Sequence, residues 1–188
     1  PGHPAALYNR GNALSDLGQI DEAIEHYELV LARQPNHADA LMNEGVALAM
    51  KGRLPEAEAK IRASLRVRPL SASAHSNLGN VLGMAGRSAD AIASYRRALE
   101  LSPRDAQTFN NLANVLAQTG ALDDAVTNYL EALRLEPINP EAHANLGRVL
   151  ARQNHVESAV QHLRIALQQR PGYPDAQVTM FGSANVIA

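Results

Sequence analysis

The stretch "NLGNVLGMAGRSADAIASYRRALELSP", residues 77–103, contains two helical patterns separated by a glycine. In the first, Gly79 and Leu82 fall at helical spacing before Gly86, and glycine readily adopts the left-handed conformation that closes a helix. The second opens on Asp90, where negative charge suits the positive end of a helix dipole. It carries Ala91, Tyr95 and Leu99 at helical spacing, and Pro103 stops it. The stretch therefore predicts a helix–turn–helix hairpin.

The same pattern recurs along the chain. Pro35, Pro69, Pro103, Pro137 and Pro171 are spaced 34 residues apart. So are Leu14, Leu48, Leu82, Leu116 and Leu150; Ala23, Ala57, Ala91, Ala125 and Ala159; and Leu31, Leu65, Leu99, Leu133 and Leu167. Internal periodicity of this length marks a repeat array. With the proline as position 32, the units are 4–37, 38–71, 72–105, 106–139 and 140–173, without insertion or deletion. Each first helix is predicted to end at Gly18, Gly52, Gly86, Gly120 or Asn154. Each second helix begins with acidic residues: Asp21 and Glu22, Glu56 after Pro55, Asp90, Asp123 and Asp124, Glu157.

Small residues recur where the two helices of a hairpin must approach. Position 8 is Gly11, Gly45, Gly79, Ala113 and Gly147, and position 20 is always Ala. Position 24 supplies bulk, with Tyr27, Ile61, Tyr95, Tyr129 and Leu163. Burying a large apolar side chain contributes roughly 1.5–3 kcal/mol. A single hairpin cannot bury both of its apolar faces, so the units must stack.

The pattern small-8, Leu-11, Gly-15, Ala-20, Tyr-24, Ala-27, Pro-32 resembles the tetratricopeptide repeat over residues 1–173. The resemblance implies an all-α fold, a right-handed α-solenoid of five stacked helix–turn–helix units. Departures are local. Position 4, often Trp in the family, is Leu7, Leu41, His75, Phe109 and His143. Position 7, usually Leu, is Arg10 and Glu44 in the first two units, which suggests an Arg10–Glu44 ion pair between neighbours. Pro1-Gly2-His3 matches the tail of a preceding unit, and "PDAQVTMF", 174–181, begins a sixth first helix before the apolar tail to residue 188. Both ends read as cuts in a longer array.

The resemblance also assigns positions 2, 5, 6, 9, 12 and 13 to an inner, concave surface. Position 6 is Asn9, Asn43, Asn77, Asn111 and Asn145; position 9 is Asn12, Val46, Asn80, Asn114 and Arg148; Asn110 holds position 5. An amide offers a donor and an acceptor together, matching the alternating groups of an extended peptide backbone. The expected peptide-binding residues are therefore Asn9, Asn12, Asn43, Asn77, Asn80, Asn110, Asn111, Asn114, Asn145 and Arg148. Amides at these positions can equally bond from one repeat to the next. Family members that grip a chain-terminal carboxylate place Lys or Arg at positions 2, 5 and 6; here those places hold Tyr8, Met42, Ser73, Ser76, Asn77 and Asn110, so such a clamp is not expected. Charge enters the surface early at Asp16 and Asp39 and late at Glu141, Arg148 and Arg152, while Met42, Met50 and Met84 add adaptable apolar groups.

Composition excludes other classes. The 188-residue chain has 46% hydrophobic residues, only 4% aromatics, and a net charge of −2. Nothing favours nucleic acid or an anionic membrane. There is no cysteine, and no apolar run approaches the roughly 20 residues that cross a bilayer. No two of the seven histidines stand at the i, i+4 spacing of a helical zinc site. His75 and His143 are expected to pack between helices. No catalytic constellation, metal or cofactor is expected. The sequence reads as a protein–protein interaction module holding an extended peptide or protein segment in an asparagine-lined groove, located in the cytoplasm. Two alternatives remain. One is the substrate-recognition arm of a larger enzyme, because "HSNLGNVL", "AIASYRRALELSP" and "PGYPDA" are similar to the repeat region of O-linked N-acetylglucosamine transferases. The other is a scaffold that self-associates through open repeat ends or the 178–188 tail.

Overall fold

In the computed structural model, residues 3–172 are described. They form ten α-helices and, among the described residues, no strand. The helices are α1 (Pro4–Asp16), α2 (Ile20–Leu31), α3 (Ala38–Met50), α4 (Leu54–Val67), α5 (Ala72–Met84), α6 (Ser88–Leu101), α7 (Ala106–Gln118), α8 (Leu122–Leu135), α9 (Pro140–Arg152) and α10 (Val156–Gln169). They pair in chain order into five hairpins. The sixth first helix and apolar tail expected over 174–188, and Pro1 and Gly2, lie outside the described residues.

Local chemistry sets the helix ends. The residue before each of α3, α5, α7 and α9 caps it: His37, Ser71, Asp105 and Asn139 accept from the backbone N–H of Ala40, Ala74, Thr108 and Ala142 at 2.9–3.2 Å. Such caps satisfy donors the helix cannot. The odd-numbered helices are followed by Gly18, Gly52, Gly86, Gly120 and Asn154, all at positive φ. Asn154, at φ 63°, is the one non-glycine, and asparagine tolerates this conformation best among the rest. The even-numbered helices α2, α4, α8 and α10 have no side-chain cap and start with acidic residues in their first turn.

The described residues fall into two compact units that divide between Leu101 and Ser102. In the first, three hairpins stack, with α2 packed on α3 and α4 on α5. In the second, two hairpins stack through α8 and α9. Every position-20 alanine is fully buried. Opposite lies position 8, where the approach is close enough to exclude a methyl group. A Cβ on Gly45 would stand 2.6 Å from Ile61 Cγ1 and 3.0 Å from the Ala57 carbonyl oxygen; one on Gly79 would stand 2.6 Å from the Tyr95 ring. The fourth hairpin instead buries Ala113 at position 8 with Tyr129 at position 24.

The expected Arg10–Glu44 pair does not form. Arg10 is exposed, whereas Glu44 is only 2% exposed and pairs with Lys60 Nζ at 2.7 Å. The Glu44 side chain points into its own hairpin, toward α4, and not along the stack. Burial pushes the Glu44 carboxyl above its ordinary range, and the Lys60 ammonium opposes that rise. No helix of the described residues is long and apolar enough to cross a membrane.

Both glycines predict a loss of stability on substitution. Ala for Gly gains up to about 1 kcal/mol in helix propensity, against an overpacking cost of about 1–3 kcal/mol. Gly45→Ala meets a backbone oxygen and a stiff β-branched side chain, and should lower the urea midpoint. Gly79→Ala would set the methyl 2.6–2.9 Å from three atoms of the buried Tyr95 ring and should lower the midpoint as well.

Candidate functional site

The position-8 approach sets where the position-24 side chain emerges. In the hairpins with tyrosine there, the ring lies over the small residue and its hydroxyl reaches the position-9 asparagine of the same hairpin. Tyr27 Oη donates to Asn12 Oδ1 at 2.9 Å, Tyr95 Oη to Asn80 Oδ1 at 2.8 Å, and Tyr129 Oη to Asn114 Oδ1 at 2.6 Å. Burial pushes all three phenol groups above their ordinary range, so they stay neutral donors.

In the first and fourth hairpins the same oxygen takes a second bond from the next hairpin's position-6 amide. Asn43 Nδ2 donates to Asn12 Oδ1 at 2.9 Å, and also to Tyr8 Oη at 3.1 Å. Asn145 Nδ2 donates to Asn114 Oδ1 at 3.0 Å. Tyrosine, asparagine and the following asparagine thus form a relay that ties stacked hairpins together. Each of these two relays borders a cleft. In the first unit, about 350 Å³ is lined by Asn12, Ser15, Asp16, Tyr27, Asn43 and Val46. In the second, about 470 Å³ is lined by residues including Asn114, Gln118, Glu141, Arg148 and Arg152.

The expected binding residues fall into different situations. Asn9 is exposed and Asn77 half-buried, and neither side chain bonds to another described residue. Asn12, Asn43 and Asn114 are half-buried members of the relays, and Asn80, also half-buried, accepts from Tyr95. Asn111, half-buried as well, accepts from Gln107 Nε2 at 2.9 Å. Asn145 is 6% exposed, and its Oδ1 accepts from Arg148 Nη2 at 2.7 Å, so it orients Arg148. Asn110 is corrected: at 1% exposed, with Oδ1 unpartnered, it is buried away from the open face. Its side chain lies on the buried side of α7, and Ala144, at the same repeat position of α9, packs on Leu163 and Ala166 of its own second helix.

Sequence reasoning missed Tyr27, Tyr95 and Tyr129 as site residues, having placed them only in the core. A signal existed. Asn occupies position 9 wherever Tyr occupies position 24, and Val46 and Arg148 stand where position 24 is Ile61 and Leu163.

Among the described residues, no group of three or more histidine or acidic side chains could hold a metal. His75 and His143 instead bond through Nε2 to the carbonyls of Pro69 and Pro137. His143 also meets His162, Nδ1 to Nδ1 at 3.0 Å with rings stacked. One imidazole must donate and the other accept, so both cannot carry a proton on that nitrogen.

Models of the tetratricopeptide repeat match residues 8–66, and again 84–120 and 113–154. The chain belongs to the tetratricopeptide-repeat family. Its fold matches several solved structures. PilF of Pseudomonas aeruginosa superposes with a TM-score of 0.89 at 20% identity, covering 98% of this chain and 84% of that one. TTC0263 of Thermus thermophilus gives 0.77 at 21%, covering 97% and 100%. YrrB, described as a tetratricopeptide-repeat protein with an unusual peptide-binding site, gives 0.74 at 24%, covering 92% and 89%. A sequence search of curated proteins found no match.

Two outcomes follow from the relay and the histidine pair. Asn114→Ala removes the acceptor of both the buried Tyr129 hydroxyl and Asn145, and should cost about 1–3 kcal/mol; Asn77→Ala should leave thermal stability unchanged. Burial also holds His143 and His162 below the ordinary histidine range. An unfolded chain then binds protons that the fold refuses, so stability should fall as pH drops below about 6.5. Thermal melts from pH 7.5 to 5 should show this loss, and His162→Leu should reduce its steepness.

Proposed function

We propose that this chain is a protein-interaction module whose first helices hold an extended polypeptide segment through amide side chains. The observation that carries the reading is the unequal use of the asparagines. Each relay oxygen accepts two bonds, which fixes the Asn12 and Asn114 side chains while leaving their own N–H groups uncommitted. Asn9 and Asn77 keep both donor and acceptor. Rigid amides beside unspent ones suit a ligand whose own N–H and C=O alternate, because little side-chain entropy is lost on binding. A peptide-binding site has been attributed to YrrB, which shares the fold. The clefts are also too open and polar to suit an apolar small molecule.

Recognition of this kind depends on the backbone of the ligand more than on its side chains. Each bond nets about 0.5–1.5 kcal/mol, so affinity builds from several weak contacts. A selection of random dodecapeptides against the purified chain should return binders of varied sequence. In anisotropy titrations of one such binder, Asn9→Ala and Asn77→Ala should each weaken affinity about two- to tenfold at unchanged thermal stability. Affinity that survives both substitutions together would remove the amides from the binding surface.

A further inference from the structure

The clefts of the two units share one frame and differ in charge. Asn12, Tyr27 and Asn43 in the first match Asn114, Tyr129 and Asn145 in the second, position for position. Around that frame the first cleft has Ser15, Asp16 and Val46, and the second has Ala117, Gln118 and Arg148, with Arg152 beside them. We infer that the second-unit cleft is a subsite for an acidic side chain of the bound polypeptide, held between Arg148 and Arg152. This rests on the peptide-binding reading above and deepens it.

The two arginines are each held by a neutral acceptor. Six of the other arginines, Arg53, Arg62, Arg68, Arg87, Arg97 and Arg134, meet a carboxylate. Arg148 instead gives Nη2 to the Asn145 amide oxygen at 2.7 Å, and Arg152 gives Nη1 to the Ala117 carbonyl at 2.9 Å. Both partners are neutral. A guanidinium has five N–H donors, so each side chain is pinned by one and keeps the others. Neither forms an ion pair among the described residues.

The arginines stand four residues apart on α9, hence on one face of the helix, and like charges so placed repel. Both line the same cleft of about 470 Å³. Glu141, the cleft's one carboxylate, sits in the first turn of α9, two turns before Arg148, and closes no pair with it. The cleft therefore holds excess positive charge with donors already oriented. A planar carboxylate is the group that a guanidinium binds best. The side-chain amide of Asn114 would hold the flanking peptide backbone while the acidic side chain reaches the arginines. In the first cleft, exposed Asp16 with no cation at the equivalent places disfavours the same side chain.

The test uses the full chain and three end-capped decapeptides of alternating Ser with Glu, Gln or Lys, titrated at low salt by fluorescence anisotropy. The Glu peptide should bind about tenfold more tightly than the Gln peptide, and the Lys peptide more weakly than either. The preference should shrink between about 20 and 300 mM salt, as a partly exposed pairing must. Arg148→Gln with Arg152→Gln should bring the Glu peptide down to the Gln value. Should the double variant fold poorly, Arg148→Gln alone should remove at least half of the preference in logarithmic terms. Equal binding of Glu and Gln peptides overturns the subsite while leaving the peptide-binding reading in place. A preference that survives the substitutions also overturns it. Absence of binding by all three overturns both. An uncapped Ser-Gln peptide binding as tightly as the capped Glu peptide would assign the arginines to a chain-terminal carboxylate, and would overturn the side-chain assignment.

Discussion

The contact between position 8 and position 24 governs the rest of this structure. Because Gly11 and Gly79 carry no side chain, the rings of Tyr27 and Tyr95 lie directly on the backbone of the partner helix. That approach fixes each ring's direction, and its hydroxyl emerges where the position-9 asparagine stands. The packing interaction thereby aims a hydrogen bond. The asparagine, held by tyrosine from within its own hairpin, becomes a fixed acceptor for the next hairpin's amide. Core packing, hairpin stacking and the lining of the clefts are consecutive consequences of one close approach between helices.

The fold was legible because its signals are periodic and redundant. Prolines, alanines and leucines repeat in one register, and the helix-ending residues at Gly18, Gly52, Gly86, Gly120 and Asn154 take the left-handed backbone expected of them. First-helix caps were as legible but went unread: His37, Ser71, Asp105 and Asn139 share one repeat position. The site was less legible. Helical spacing says which side of a helix a residue occupies, but neighbouring positions diverge sharply at the edge of a buried face. Asn110 and Asn111 are adjacent; one is sealed inside its hairpin and the other accepts from Gln107 near the surface. A one-residue step of about 100° separates those outcomes. The Glu44 error has the same origin, since a side chain assigned along the stack instead pointed into its own hairpin.

The asparagine series also divides in a way that a sequence cannot show. An amide between tyrosine and a neighbouring amide contributes to stacking whether or not a ligand is present. An amide such as that of Asn77, with no partner among the described residues, contributes nothing comparable to the fold. The division follows from geometry within each relay, where one oxygen reaches its limit of two acceptor bonds. Residues of one type at one repeat position thus differ in role according to what the adjacent hairpin presents.

The charge of the two clefts lies outside the relays. The relay oxygens are spent within the fold, so changing those side chains would weaken the stack. Positions 12 and 13 of one hairpin, and 9 and 13 of the next, border the same clefts without belonging to the tyrosine–asparagine–asparagine frame of those clefts. Ser15, Asp16 and Val46 occupy such places in the first unit; Gln118, Arg148 and Arg152 occupy them in the second. A repeat array that varies these positions can change the charge of each cleft while keeping the frame that builds it. The position-9 place of a hairpin without a position-24 tyrosine is then open to other side chains, and Val46 takes it in the second hairpin. In such a hairpin no hydroxyl arrives that an asparagine must receive, and Arg148, in the hairpin whose position 24 is the apolar Leu163, takes the same place.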